Sequence, residues 1–266
     1  MKKNLFISAV ALFLIFFGTA LYAQEDKGVL LEFKSAPADG AGYTLAVDSD
    51  SFFTLYGLEK KIRQSVTTDF TMTPAEVVPP VKDALGFAIE INDEKVVSDG
   101  EKIDSPARGT KLNLKISKNG KIIGSSDPSK LQYFQDLIIS FPEKPVKKGE
   151  EWKVETPFKI QNGDGSEKEL TAILKCKVED FKNINGRNCA IIETKLSVAD
   201  EKTGSASLKA GAAGTMNFDY EAGKIISINN VINMDVKVYN EKAQTKKPLE
   251  ASTLKSKISV KLNLKK

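Results

Sequence analysis

The chain has 266 residues, 41% of them hydrophobic and 28% charged, with a formal net charge of +4 and no histidine. The missing histidine excludes Ser-His-Asp and Cys-His nucleophile systems, histidine metal sites and histidine acid–base chemistry. Carboxylate pairs and Ser-Lys dyads stay open, but no catalytic or cofactor motif stands out, and a non-enzymatic protein without cofactor or metal is the expectation.

The N-terminus has the three parts of a secretory signal. Lys2 and Lys3 precede an apolar run from Phe6 to Phe17, and Gly18, Thr19 and Ala20 lead to Leu21-Tyr22-Ala23. Cleavage is expected after Ala23, with Ala20 as the alternative. The apolar run is shorter than the roughly 20 residues a spanning helix needs. No cysteine lies near the cleavage site, and no later segment is apolar enough to span as a helix. The expected location is therefore outside the cytoplasm, periplasmic or extracellular, with residues 24–126 an N-terminal β half, 127–140 a connecting helix and 141–266 a C-terminal β half.

Period-two apolar segments recur along the N-terminal half. Val29–Lys34 and Tyr43–Val47 read as short strands joined by a Pro37-Ala38-Asp39-Gly40 turn, and Phe52–Tyr56 and Ile62–Met72 as two more. Between them Asp48-Ser49-Asp50-Ser51 reads as an acidic loop. Pro74, Pro79 and Pro80 make any strand there short or an edge strand. Phe87, Ile89 and Ile91 share one face, as do Leu112, Leu114 and Ile116; Asn119-Gly120 then turns the chain into Lys121-Ile122-Ile123.

One segment carries a helical pattern. Ser126 or Asp127 caps it, Pro128 sits in its first turn, and Leu131, Phe134, Leu137 and Ile138 form a stripe that ends near Ser140. The stripe is expected to pack on a sheet.

The C-terminal half alternates more regularly. Trp152, Val154 and Thr156 open it, and Trp152 reads as a structural plug. Asn162-Gly163-Asp164-Gly165-Ser166-Glu167 has the flavour of a calcium loop but lacks the bidentate glutamate at its twelfth position, which is Ile173; it reads as a hairpin turn. Gly204–Gly214, rich in Gly, Ala and Ser, reads as a flexible connection or a small-residue strand edge. Ile226 to Val238 and Leu254 to Leu264 give two long amphipathic strands, with Lys255, Lys257, Lys261 and Lys265 on the outer side of the second. Such lengths suit a large curved sheet, a half-barrel or a barrel. Ser252-Thr253-Leu254-Lys255 matches a Ser-x-x-Lys pattern, but residues three apart on a strand face opposite ways, and the match is rejected.

Cys176 and Cys189 are the two cysteines. An oxidising compartment favours a bridge between them. Register opposes it: Cys176 aligns with Leu170, Ala172, Leu174 and Val178, whereas Cys189 falls off the Ala190, Ile192, Thr194, Leu196, Val198 face, and a tight turn at Asn185-Gly186 places it opposite Lys182. Both outcomes stay open. Charge is uneven as well: residues 240–266 hold eight lysines against Glu241 and Glu250, leaving residues 24–239 at −4. Aromatic residues are not interleaved with these lysines, so a nucleic-acid groove is not expected.

The sequence also carries a faint echo. Gly109-Thr110-Lys111-Leu112-Asn113 precedes Gly120-Lys121-Ile122-Ile123, and Gly214-Thr215-Met216-Asn217 precedes Gly223-Lys224-Ile225-Ile226. Two similar β halves or chance matching of hairpin residues would each explain it.

Phe141-Pro142-Glu143-Lys144-Pro145-Val146-Lys147-Lys148-Gly149-Glu150-Glu151-Trp152, together with Gly120-Lys121 ahead of it and Gly214-Thr215-Met216-Asn217-Phe218-Asp219-Tyr220 leading to Gly223-Lys224 behind it, resembles an uncharacterised family of exported bacterial proteins and lipoproteins, a domain of unknown function. The resemblance spans residues 109–238 and implies an envelope protein, with no catalytic residues to carry over. A looser fold-level analogy is to periplasmic lipoprotein carriers, whose curved sheet holds acyl chains. The first functional expectation is accordingly a β-rich binding module that takes an apolar ligand such as lipid in a curved sheet. The alternative is a structural or interaction protein of the envelope with no small-molecule ligand, docking through an edge strand or the lysine face. An outer-membrane barrel and an enzyme follow behind.

Overall fold

The computed structural model describes residues 28–127 (except 56, 79 and 106), 137–161, 167–203, 206–240 and 249–265, with the side chains of 156–161, 167–170, 199–203, 206, 238–240 and 249–251 left aside. The expected signal segment 1–23 lies outside the described residues, as does the calcium-like loop at 162–166. The described chain forms twelve strands: β1 (Ala41–Leu55), β2 (Leu58–Ala75), β3 (Ala84–Ser98), β4 (Glu101–Ile103), β5 (Lys111–Ser117), β6 (Ile122–Ser125), β7 (Glu151–Gln161), β8 (Glu167–Ile184), β9 (Arg187–Thr203), β10 (Ala206–Asp219), β11 (Lys224–Asn240) and β12 (Leu249–Leu264). Several run to 15 residues or more, well beyond the usual five or six.

All twelve belong to one antiparallel sheet of order β6-β5-β3-β2-β1-β12-β11-β10-β9-β8-β7, with β4 attached to β3. Each half of the chain is a meander, and the two meanders join where the first strand pairs with the last, Tyr43 opposite Leu264 and Leu55 opposite Ser252. The sheet is open, because β6 and β7 stand at opposite ends of the order. That disposes of the barrel alternative for the described strands, since a membrane barrel needs its edge strands paired. Among the described residues no helix is long and apolar enough to cross a membrane.

The strand faces follow the alternation. Val178, Ile192, Met216, Ile228, Leu262, Leu45 and Thr68 form one unbroken inward-facing rung across seven strands. Five of the seven are buried hydrophobics. Register breaks at Val178/Asp180, Asn217/Phe218, Asp69/Phe70 and Lys115/Ile116 lie near the same end of the sheet. Two more, at Leu208/Ala210 and Val238/Tyr239, lie towards the other end. An extra residue on one strand of a pair bends it and increases its twist, so the end with four breaks curls more, and there the buried side chains gather.

Four expectations are corrected. Val29–Lys34 is not a strand: Val29 makes an isolated bridge with Val146 and the rest is extended chain without ladder partners. The expected strands at 43–47 and 52–56 are, as far as Leu55, one strand, because Asp48-Ser49-Asp50-Ser51 is not a loop but the middle of β1, its aspartates outward and its serines inward. Asp50 is held outside by Arg63 at 3.0 Å and Lys61 at 3.9 Å. The Gly/Ala/Ser run is neither connection nor edge; from Ala206 on it is β10, with β9 and β11 on either side.

The fourth concerns the C-terminal end of the helix expected at about 127–140. Residues 128–136 lie outside the described residues, and no helix occurs among the described ones. In the part that is seen, Leu137, Ile139 and Phe141 are buried while Ile138 and Ser140 are not. That is a period of two, not 3.6. This tract belongs to the crossover from β6 at one edge to β7 at the other. Extended chain covers about 3.3 Å per residue against 1.5 Å for helix, and an extended tract can push alternate side chains into the core as it goes.

Candidate functional site

The strongly curled end of the sheet carries the β5–β6, β8–β9 and β10–β11 turns, and it is closed by two extended tracts. One is the strap of residues 28–37; the other is the crossover around 137–146. They pair with each other at Val29 and Val146, each amide donating to the other's carbonyl at 2.8 and 2.9 Å. The strap then spans the sheet mouth. The Phe33 amide donates to the Lys118 carbonyl at 2.7 Å, and the Lys34 amide to the Gly223 carbonyl at 3.0 Å. On the crossover, the Phe141 amide donates to the Asn119 carbonyl at 2.7 Å.

Local sequence builds both docking turns. In the β10–β11 turn, buried Asp219 accepts the Glu221 and Ala222 amides at 3.1 and 2.8 Å, and Arg187 stands 3.5 Å from its other oxygen. In the β5–β6 turn, the Ser117 hydroxyl donates to Asn119 and accepts the Lys121 amide. Gly223 and Gly120 have φ of 64° and 88°, in the left-handed region. A Cβ on Gly223 would lie 2.5 Å from the Lys34 amide nitrogen, and one on Gly120 2.4 Å from the Ile139 carbonyl oxygen. The two Gly-Lys turns of the sequence echo are thus the two points at which the closing tracts seat.

Beneath the strap the two halves differ. On the β7–β10 side the space is filled. Phe33 stacks on Phe141 at 5.3 Å and meets Phe218 edge-on at 5.2 Å, and Phe141 lies 4.6 Å from Phe218. Trp152 closes the crossover side, its indole N–H donating to the Ser140 carbonyl at 2.9 Å; it is the plug expected from sequence. Leu31 and Val146 are wholly buried here. The Phe141-to-Trp152 motif therefore supplies packing anchors.

On the β1–β5 side a cavity of about 200 Å³ remains. Tyr43, Phe70, Met72, Phe87, Ile89 and Leu114 give it an apolar wall, and Phe33 to Pro37 of the strap cross over it. Tyr43 and Phe70 stack at 5.4 Å. The Tyr43 hydroxyl donates to the Ile225 carbonyl at 3.3 Å, so its polar atom is satisfied without a ligand. Burial pushes that hydroxyl up to about 12, so it stays a neutral donor. Lys34 and Lys224 are the charged residues among those that line the cavity. The volume compares with the ~150 Å³ cavity that takes benzene and falls below the ~300 Å³ of sites for drug-sized molecules. It suits one short alkyl tail or a single ring.

Toward the other end of the strands the inner face stays apolar but loses its cover. Leu196, Ala212, Ile232 and Ile258 form one rung and Leu208, Val236, Leu254 and Phe53 another, none of them fully buried. Ser49, Ser51 and Ser256 interrupt this face with a hydroxyl cluster, their oxygens 2.8 to 3.3 Å apart.

The cysteines sit apart from this site. Cys176 faces inward opposite Thr194, and Cys189 stands opposite Lys182 as the turn geometry required; both are buried and free. Burial pushes the Cys176 thiol up to about 12, so it is protonated and inert at neutral pH. Among the described residues no three Cys, Asp or Glu side chains are grouped to hold a metal ion. Sequence reasoning singled out the inward strand faces without naming a ligand wall. It missed the strap residues, whose only signal was the Leu31 and Phe33 alternation.

No family model and no curated protein matches the chain. Among solved structures it is similar to the hypothetical lipoprotein YmcC from Escherichia coli K12, at 10% identity over 92% of this chain and 95% of that one, with a TM-score of 0.29. So loose a superposition carries no argument about function, and the family resemblance rests on its motif alone.

Proposed function

We propose that the chain is an exported, non-enzymatic envelope protein that binds one apolar tail in the cavity beneath its N-terminal strap. The observation that carries this reading is the cavity itself. A wall of apolar side chains surrounds about 200 Å³ in a floor whose other half is filled by three packed aromatic rings. Interiors are close-packed as a rule, so an unfilled apolar space beside a filled one is a natural ligand pocket. Lys34 and Lys224 at its lining favour a tail that ends in an acidic group. The leader-like N-terminus and the absence of histidine support export and binding over catalysis.

The test is native mass spectrometry of the purified chain, alone and with saturated fatty acids of increasing length. One adduct per chain is expected, lost in Met72→Trp, which fills the cavity, while that variant keeps a cooperative melt. If no adduct forms at any chain length and no fatty acid raises Tm, the binding reading falls and a purely structural envelope protein takes its place.

A further inference from the structure

The opposite end of the sheet presents an apolar tip. Residues 55 and 58 face each other across the β1–β2 turn. Leu58 is 78% exposed, Leu55 54%, Phe52 45% and Phe53 37%. No other described turn carries four large exposed hydrophobic side chains within seven residues. The hairpin also projects past β3, while on its other side β12 runs alongside it to Ser252 and on to Leu249. The β2–β3 pairing stops at Gln64 opposite Ser98, and the β3–β4 turn closes against Arg63, whose amide donates to Asp99 at 2.8 Å. Residues 58–62 of β2 therefore extend beyond β3 by about 17 Å at ~3.4 Å per residue.

Cations ring the stem of this tip. Phe53 is paired with Lys60, and Phe52 with Lys61 on one side and Lys255 on the other. Arg63 and Lys257 both stand opposite Asp50 one step further in. On the same strands stand the acidic residues Glu59 and Glu250 near the tip and Asp50 and Asp48 further in, Asp50 being held by Arg63 and Lys61, so the cations outnumber them by one. Asp99, which accepts the Arg63 amide, and Glu101 belong to the neighbouring turn, with Lys102 next to Glu101.

We propose that the β1–β2 hairpin docks on an anionic lipid bilayer, inserting Leu55, Leu58 and the two phenylalanines among the headgroups while the lysine collar engages lipid phosphates. An apolar tip with cations further up its stem, Lys60 on the inner face and Lys61, Arg63, Lys255 and Lys257 on the outer, matches the two layers of such a surface, hydrocarbon below and negative charge above. Charge complementarity selects this occupant, since a protein partner for the tip would need a concave apolar pocket but no surrounding negative field. The inference is independent of the cavity at the other end.

The experiment is co-sedimentation of the purified chain with vesicles of phosphatidylglycerol and phosphatidylcholine, against vesicles of phosphatidylcholine alone. Binding to the anionic vesicles is expected, weakening between 0.1 and 1 M salt as the collar is screened. Leu58→Asp is expected to lower partitioning by at least about tenfold. Lys60→Gln with Lys61→Gln should lower it roughly fivefold per charge. Both variants lie on exposed positions, so an unchanged Tm shows that each is folded. Wild-type protein left in the supernatant, or Leu58→Asp bound as tightly as wild type, would overturn the proposal. So would a concentration-dependent dimer that Leu58→Asp dissolves without any vesicle binding, because the tip would then be a contact between two copies. Fatty-acid adducts measured on the same sample report on the cavity separately.

Discussion

The two ends of the sheet are made from the same strands with the same alternation, yet they solve the problem of the inner face differently. At the closed end, register breaks curl the sheet and two extended tracts are seated on the Gly120 and Gly223 turns, so the apolar face is buried. At the open end two further register breaks, at Leu208/Ala210 and Val238/Tyr239, interrupt the ladders, but no tract is seated across the face, and nothing described covers Phe53, Val236 or Leu254. The difference shows that strand pattern settles which side chains share a face, while burial depends on what crosses over that face. It also separates two kinds of function: an enclosed space suits a captured tail, and an exposed tip suits a surface.

The largest expected difference between the ends comes from truncating aromatic rings. Phe218→Ala removes a fully buried ring that touches Phe33 and Phe141, and should lower unfolding free energy by about 3–5 kcal/mol. Phe53→Ala at the open end should cost under about 1 kcal/mol, because its ring is already partly solvated. Urea denaturation of both variants checks this, and equal losses would show that the open end is covered in solution. A smaller effect is expected from unseating the strap. Gly223→Ala forces a side chain into positive φ and against the Lys34 amide, at about 1–3 kcal/mol. Hydrogen exchange at the Phe33 and Lys34 amides should quicken while amides in the middle of β11 stay protected. If the strap amides exchange as in wild type, the turn does not hold the strap.

The last expected effect is alkaline. Tyr43 keeps its proton to about 12 in the folded chain, against 10.0 for an unperturbed tyrosine, chiefly because burial disfavours the phenolate. Between those values the folded state binds more protons than the unfolded one, so stability is full below pH 10 and is lost as pH rises towards 12. Two units set an upper bound of about 3 kcal/mol. Tyr43→Phe should flatten that part of the pH–stability curve, measured by thermal melts from pH 8 to 12, at the cost of its bond to the Ile225 carbonyl. An unchanged slope would mean that the closed end admits water around this ring.

Much of the C-terminal half was legible in the sequence. Leu174, Cys176 and Val178 stand opposite Leu196, Thr194 and Ile192, and Ile228 to Val236 opposite Leu262 to Leu254, in the faces that alternation assigned. Asn185-Gly186 turned where its residues demanded, which placed Cys189 opposite Lys182. Other parts of the chain were read less well. Polar serines on the inner face of β1 disguised one long strand as two strands and a loop, and small residues in β10 read as a connection although flanking strands supply its packing. The crossover was read as helical from Leu131, Phe134, Leu137 and Ile138; in the part described, 137–141, the residues that go inside are Leu137, Ile139 and Phe141.

Side-chain alternation is a local property of an extended backbone, and so sequence alone determined that this protein is built of long amphipathic antiparallel strands and which residues share each face. Whether a face is filled, hollow or bare depends on groups distant in the chain. The pairing of β1 with β12, the seating of residue 34 on residue 223 and the reach of the crossover to Asn119 are contacts between segments with no local signal for one another. Only the tertiary structure decided that one end of the sheet encloses a cavity and the other holds out an apolar tip.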